Sequence, residues 1–507
     1  MKHKRFIPIL MSVLLLLASV SVISVGAVDT KTVTSGAVVE EIFDDGETTI
    51  TECDSPGEAW VKAIHTANHT KEVVITLGSD WIEDTELTVG ASMHITLDLN
   101  GHCVRRTRDH NMIRNGYVFR VEENAIFTVR DSNPKGVGYK GVRGGVITGG
   151  ASSNTGGGIH IEEKGEFRLQ GGTIYDCRTD EDGGGVYVDG SSMDTKFTMT
   201  GGRIYGCRTI DSNDDCCGGG VYLRNGVVSI SNAKIDDCYS EDDGGAIYSC
   251  RGVIHLDNVV FSGNYARDKG GAIYTALDLA KYQATVIKAH NCIFAANHSD
   301  KDGGAVFIND NPDHNQAVVF HNCTFRSNSA NLKGGAVYIN DDNVALSSCE
   351  IVSNKSSKEG GGVYVDGRYN VTVMGLTKIM DNAAHEGEGV DNLALDNDAH
   401  IINAGLYKGS EVHFGPTGSD SIEVSEWISN YQQQYFMADK GNLTTKDSKS
   451  VNTVKVLSGS VFSEGGFYAV VILGVAGIIG TIALVIHQKK KNKAKEGGEE
   501  NDSNDGT

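Results

Sequence analysis

The chain has 507 residues, a formal net charge of -21, and 63 glycines against 5 prolines. Average usage is near ~7% for glycine and ~5% for proline, so the composition suits many tight corners between strands that keep their backbone donors. The acidic balance, with no basic stretch outside the two membrane flanks, argues against nucleic acid as a partner.

Residues 1–27 read as a secretory signal peptide: basic "MKHKR", an apolar run from Phe6 to Val25 and a small-residue cleavage site ending at Ala27. An N-terminal segment, 28–71, follows it. Residues 72–404 are repetitive, and 405–466 form a non-repetitive cap and membrane-proximal segment. "FYAVVILGVAGIIGTIALVI" (Phe467 to Ile486) supplies 20 uncharged residues, enough at ~1.5 Å each to cross a ~30 Å hydrocarbon core. The lysines of "HQKKKNKAK" right after it predict a cytoplasmic tail, 487–507, and a single-pass type I protein of the cell membrane with its long N-terminal part outside.

The repeat has two landmarks. A four-residue motif ends in Cys177, Cys207, Cys238, Asn264, Asn297, Asn328, Asn354 and Asn382, at intervals of 30, 31, 26, 33, 31, 26 and 28 residues. An aliphatic residue after paired glycines forms the second: Val186, Val221, Ile247, Ile273, Val306, Val337, Val363 and Val390. Six of the eight lie nine residues after their Cys or Asn, so that arc has a fixed size, while the return to the next motif varies from 14 to 21 residues. "GGVYV" and "GGAIY" alternate with period two and are rich in β-branched and aromatic types, as strands are. One such strand cannot bury its face alone, but equivalent strands stacked at ~4.8 Å can, which predicts a solenoid with an aliphatic interior.

These paired signatures, Phe/Ile-x-x-Asn and Gly-Gly-Ala/Gly-Ile/Val, resemble the polymorphic outer membrane protein repeat and, more broadly, right-handed parallel β-helix (pectin-lyase-like) bacterial surface proteins. "ITLDLNGHCV" and "GGVITGG" resemble the opening coils of such proteins, and "SPGEAWVKAIHTANHT" (Ser55 to Thr70) their capping helix. The resemblance spans roughly residues 55–430. It implies an all-β, right-handed parallel β-helix solenoid, here preceded by a signal peptide and followed by one transmembrane helix. Outer membrane autotransporters of that family end in a β-barrel, whereas this chain ends in a single helix and a basic stop.

Several groups are candidates for chemistry. Stacked Asn264, Asn297, Asn328, Asn354 and Asn382 are expected to hydrogen-bond along the solenoid and satisfy buried polar atoms. Cys177, Cys207 and Cys238 share one column, and Cys292, Cys323 and Cys349 a second. Each column is compatible with free buried thiols or with one disulfide, and no zinc-ligand spacing is present. Asp182, Asp243 and Asp302 precede the glycines. Calcium is a possible ligand there, although Lys269 and Lys333 interrupt the column; no other cofactor is expected. The residues after the aliphatic landmark, Tyr187, Tyr222, Tyr248, Tyr274, Phe307, Tyr338 and Tyr364, point away from the interior. They form a row of seven rings that either binds a ligand or stiffens the sheet.

β-Helix lyases and glycosidases use basic residues and clustered carboxylates. Asp214 with Asp215, or Asp310 with Asp313 and His314, occupy suitable return segments but form no recognisable constellation. The expected function is therefore a membrane-anchored surface adhesin or binding protein that recognises a glycan or a host or neighbour-cell protein. The alternative is an extracellular polysaccharide lyase or glycosidase.

Overall fold

The computed structural model describes residues 36–107, 116–211, 216–276, 285–309, 318–340, 342–367, 369–385, 391–396, 399–417, 422–424, 434–439, 443–444 and 455–458. The expected signal peptide (1–27), membrane helix (467–486) and cytoplasmic tail (487–507) lie outside the described residues. Among those described, no helix is long and apolar enough to cross a membrane.

An antiparallel hairpin, β1 (Ala37–Ile42) and β2 (Thr48–Cys53), opens the fold, followed by a single helix, α1 (Pro56–Thr66). Ser55 starts α1 by accepting the Glu58 N–H at 3.2 Å, while the Glu58 carboxylate accepts the Asp54 N–H at 2.9 Å. Pro56 occupies the first turn, where no donor is needed. The apolar face of α1 carries Ala59, Trp60 and Ala63, all buried. The Trp60 ring sits 5.6 Å from Trp81 and 5.8 Å from Phe119, so the helix plugs the mouth of the interior. β1 also pairs antiparallel with Glu72–Leu77, the first strand of the solenoid, which covers an otherwise open edge.

From there the chain winds as a right-handed β-solenoid of about ten turns. Each regular turn contributes to four parallel ladders, three in one large sheet and the fourth, of two-residue strands, in a nine-stranded sheet of its own. The register is strict. Ile174, Ile204, Ile235, Phe261, Phe294, Phe325, Ile351 and Ile379 pair in succession along one face. Val186, Val221, Ile247, Ile273, Val306, Val337 and Val363 do so along another. All fifteen are fully buried, and each such side chain contributes about 1.5–3 kcal/mol by leaving water. The Phe261, Phe294 and Phe325 rings stack at 4.9 and 4.6 Å, so the interior is packed rather than hollow.

One landmark is corrected. The partner of Val363 is Leu393, whereas Val390 lies outside the described residues. In "EGEGVDNLALD" the paired glycines are missing, so the fixed nine-residue arc does not apply to that turn.

The glycine corner exists for closeness as well as for φ. Gly270 has φ +66 and a Cβ there would stand 2.4 Å from the Ile273 carbonyl oxygen. At Gly271 it would meet the Gly304 carbonyl of the next turn at 2.3 Å. Only glycine lets successive turns approach this far.

The Asn residues form one directed chain. Each Nδ2 donates to the Oδ1 of the next: Asn264 to Asn297 at 3.0 Å, then Asn328, Asn354 and Asn382 at 2.9 Å each, then Asn392 at 3.0 Å. A chain of donors must end on a group that only accepts. It ends on Asp439, whose two oxygens take the Asn392 Nδ2 at 2.6 Å and N–H at 2.8 Å. The eleven cysteines stand as free thiols and ten of them are buried. In the first column Cys207 and Cys238 turn Sγ toward backbone carbonyls of the preceding turn.

Candidate functional site

The row of rings is continuous and longer than expected. Tyr117 and His160 precede Tyr187, and all nine rings from Tyr117 to Tyr364 stack with centroids 4.7–5.3 Å apart. They leave the strands away from the interior, as alternation requires, but they are not a free surface. Tyr187, Tyr274, Phe307, Tyr338 and Tyr364 are buried, and only Tyr222 and Tyr248 of the seven are half-exposed. Corner residues roof them: Lys333 Nζ reaches the Tyr364 hydroxyl at 2.6 Å, and Lys269 lies 5.5 Å over the Phe307 ring. The Tyr338 hydroxyl donates to Asp366 at 2.9 Å, and that of Tyr222 sits 3.0 Å from Cys250 Sγ. With each inner ring face taken by a neighbour, a ligand would meet ring edges at best.

The acidic corners are also committed. Asp182, Asp243 and Asp302 each accept a backbone N–H of the next turn, from Cys217, Lys269 and Lys333, at 2.9 Å. Burial pushes the Asp182 carboxyl up to about 7 and that of Asp243 to about 8. The carboxylates of Asp242, Asp243 and Asp268 do lie within 4.8 Å of one another. Yet Lys301 Nζ is 2.7 Å and Lys269 Nζ 3.7 Å from Asp268, so ammonium groups already balance the charge. Three carboxylates shared with two lysines fit a calcium shell of six to eight oxygens poorly. Asp214, Asp215, Asp310, Asp313 and His314 lie outside the described residues.

A different site emerges where the repeat is interrupted. Between the strands Ile126–Arg130 and Val146–Thr148 the chain makes a long loop, 131–145. Asp131 organises its base, Oδ1 accepting the Gly101 N–H and Oδ2 the Gly145 N–H, both at 2.7 Å. At its tip Tyr139 and Val142 exchange both backbone hydrogen bonds at 2.9 Å. Lys140 (φ 48) and Gly141 (φ 85) between them are both left-handed, as in a type I′ turn. Glycine adopts this freely, whereas a lysine there costs about 1–2 kcal/mol.

Val142 packs with Cys103 and Val146, and Tyr139, Tyr175 and Tyr205 lie against that cluster. The hairpin thereby walls a cleft of about 410 Å³, lined by Lys140, Arg143, Thr173, Tyr175, Arg203 and Tyr205. The two tyrosines come from successive turns of one face and stack at 5.3 Å. Arg203 lies 3.7 Å over the Tyr205 ring and clamps Asp236 with both arms of its guanidinium, Nε at 2.6 Å. Lys234 sits 3.0 Å from the same carboxylate, so two cations share one anion and Arg203 is held in place. Lys140 and Arg143 are exposed and have no carboxylate partner among the described residues. Arg105 and Lys140 flank the Tyr139 ring at 5.8 and 5.4 Å.

Sequence reasoning missed this cleft because it weighed charge over the whole chain. Between residues 101 and 145 nine Lys and Arg stand against four Asp and Glu, in a protein that is otherwise strongly acidic. That local reversal was the available signal.

Comparison with known proteins agrees with the fold. Residues 157–377 match the family model of the right-handed beta helix region, which spans most of the in-register columns but not the loop at 131–145. No curated protein and no solved structure matches the chain. A parallel β-helix fits a surface-binding or carbohydrate-active protein in general.

Proposed function

We propose that this parallel β-helix is a cell-surface binding protein, exported by residues 1–27 and anchored by 467–486, that holds a saccharide chain in the cleft beside the loop 131–145. The observation that carries this reading is the pairing of half-buried tyrosines with uncommitted cations at one concave place. Sugars are recognised by the apolar faces of their rings on aromatic side chains and by hydrogen bonds to their hydroxyls. Tyr175 offers a ring face, since Tyr205 lies between Tyr175 and the Arg203 guanidinium, and the hydroxyls of Tyr175, Tyr205 and Thr173 offer the hydrogen bonds.

Binding is favoured over hydrolysis because none of the described residues lining the cleft is a carboxylate, and a glycosidase needs two. A glycan array probed with the full chain tests the reading. Binding that Tyr175→Ala with Tyr205→Ala abolishes supports it, and new reducing or unsaturated ends in a polysaccharide digest would replace it with catalysis. Absence of binding to every glycan would refute it.

A further inference from the structure

We infer that Ser329, His298 and Asp300 form a second site, which hydrolyses short acyl esters with Ser329 as the nucleophile. The cleft lies on other turns, so this site stands apart from the saccharide reading. The two-residue strands His298–Ser299, Ser329–Ala330 and Lys355–Ser356 are neighbours in the nine-stranded sheet, with His298 paired to Ser329 and Ser329 to Lys355. Ser299, Ala330 and Ser356 are buried, so alternation turns His298, Ser329 and Lys355 outward on three successive turns. The ladder thereby sets a hydroxyl beside an imidazole: Ser329 Oγ is 2.7 Å from His298 Nδ1. Asp300, two residues after His298, lies 3.3 Å from the other ring nitrogen, Nε2. A carboxylate only accepts, so Nε2 carries the ring proton and Nδ1 is left to accept the Ser329 O–H. Nucleophile, base and orienting carboxylate thus follow in the order that activates a serine.

The base and the carboxylate are both held. The Tyr265 ring stacks on the imidazole with centroids 5.3 Å apart, and its hydroxyl donates to Asp300 Oδ2 at 2.5 Å. Asn331 Nδ2 donates to Asp300 Oδ1 at 3.0 Å. Ser329, His298 and Asp300 are half-exposed, and Lys355, on the side of Ser329 away from His298, is exposed. Its ammonium is therefore available to an oxyanion formed at Ser329. Ser329 Oγ bonds to the ester carbonyl carbon while its proton passes to His298 Nδ1. The imidazolium returns that proton to the departing alkoxide as the ester C–O bond breaks, leaving an acyl-serine and a free alcohol. Water then adds to the acyl carbon and gives a proton to Nδ1; collapse releases the carboxylic acid and returns the proton to Ser329 Oγ. Nothing is oxidised or reduced. An open flank admits a large alcohol but offers a long acyl chain little surface to bury against, which makes a short acyl ester the substrate class.

The test uses the full-length chain in detergent and a fluorophosphonate probe, which modifies a serine only where its neighbours make it nucleophilic. An adduct on Ser329 is expected by peptide mass spectrometry, with p-nitrophenyl acetate turned over faster than p-nitrophenyl octanoate. Ser329→Ala should abolish adduct and turnover with an unchanged circular dichroism spectrum, since the hydroxyl is half-exposed. His298→Gln should slow labelling by about 100-fold or more, the usual worth of a general base. Asp300 is a positioning residue: Asp300→Asn should lower kcat for the acetate ester at least about tenfold with KM unchanged, and Asp300→Glu should recover part of the loss. Ser329→Ala should bind glycans as the parent chain does, and Tyr175→Ala with Tyr205→Ala should keep the adduct, so the two readings fail separately. Absence of an adduct on Ser329 overturns the inference, as does labelling that His298→Gln leaves at the parent rate. Octanoate turned over as fast as acetate overturns the short-acyl assignment.

Discussion

Asn328 is the place to test whether the polar column holds the solenoid together. Its Nδ2 donates to the Asn354 Oδ1 and the Phe294 carbonyl, both at 2.9 Å, and its Oδ1 accepts the Asn297 N–H at 3.0 Å and Nδ2 at 2.9 Å. The residue is 1% exposed, so no water replaces what is lost. Asn328→Ala removes four bonds at about 0.5–1.5 kcal/mol each and leaves the Asn297 N–H without a partner, a penalty of about 1–3 kcal/mol. Since such contributions overlap, the expected loss is about 3–5 kcal/mol. Asn328→Cys should cost less, because cysteine fills the space and can turn its thiol to the preceding turn's carbonyl, as Cys207 and Cys238 do. Because each turn of a solenoid touches only its neighbours, unfolding is not all-or-none. The suitable assay is therefore urea-dependent hydrogen exchange read peptide by peptide, with the acceleration centred on residues 294–365. A loss below about 1 kcal/mol for the alanine variant, or a cysteine variant no better than alanine, would refute the column's structural role.

Other outcomes follow from the same contacts. Asp439→Asn keeps the shape but puts an NH₂ where the Asn392 end of the column needs a second acceptor, so exchange should rise around 391–439 while the middle turns stay protected; equal protection of both regions sinks the directed chain. Asp182 and Asp243 have folded values raised to about 7 and about 8, above an unfolded ~3.9, so the folded state holds more protons in between. Stability is then full below pH ~4 and falls as pH rises through 7–8, by up to about 1.4 kcal/mol per unit for each group; melting curves should flatten in Asp243→Asn, and a slope that the variant leaves unchanged counts against the assignment. Tyr248→Ala with Tyr274→Ala should destabilise by several kcal/mol, given about 3–5 kcal/mol for a large buried ring, and leave binding at the cleft intact; loss of binding without loss of stability would return the ring row to candidacy as a ligand strip. Ten of eleven thiols are buried, and burial pushes Cys103 and Cys238 up to about 12, so a thiol reagent should label Cys250 alone in the native protein and all eleven after denaturation; fewer in the denatured count would reveal disulfides.

What could be read from the sequence, and what could not, divides along the solenoid's own geometry. Ile174 to Ile379 and Val186 to Val363 were legible as columns because a turn of nearly constant arc places equivalent residues in register, so spacing alone stands in for contact. The same logic placed Asn264 to Asn382 in one stack. It could not find the terminus, since Asp439 lies 47 residues beyond Asn392 and no period connects them. Alternation correctly turned Tyr187 to Tyr364 away from the interior, yet it says nothing about what lies above a residue. Their burial depends on how far Lys269, Lys333 and Asp366 reach across the corner, which is a matter of side-chain length and neighbouring turns. The cleft escaped for the opposite reason. Lys140, Arg143, Tyr175 and Tyr205 meet because a loop with no counterpart in other turns folds back on a regular face. A repeat specifies its interior many times over, so each column is confirmed by its neighbours. An insertion is specified once, by glycines such as Gly138 and by an anchor such as Asp131. That is also why an insertion is free to acquire a ligand: changing Lys140 or Arg143 disturbs no column, whereas changing an inner ring of the ladder, such as Tyr248, disturbs the rings on both sides of it.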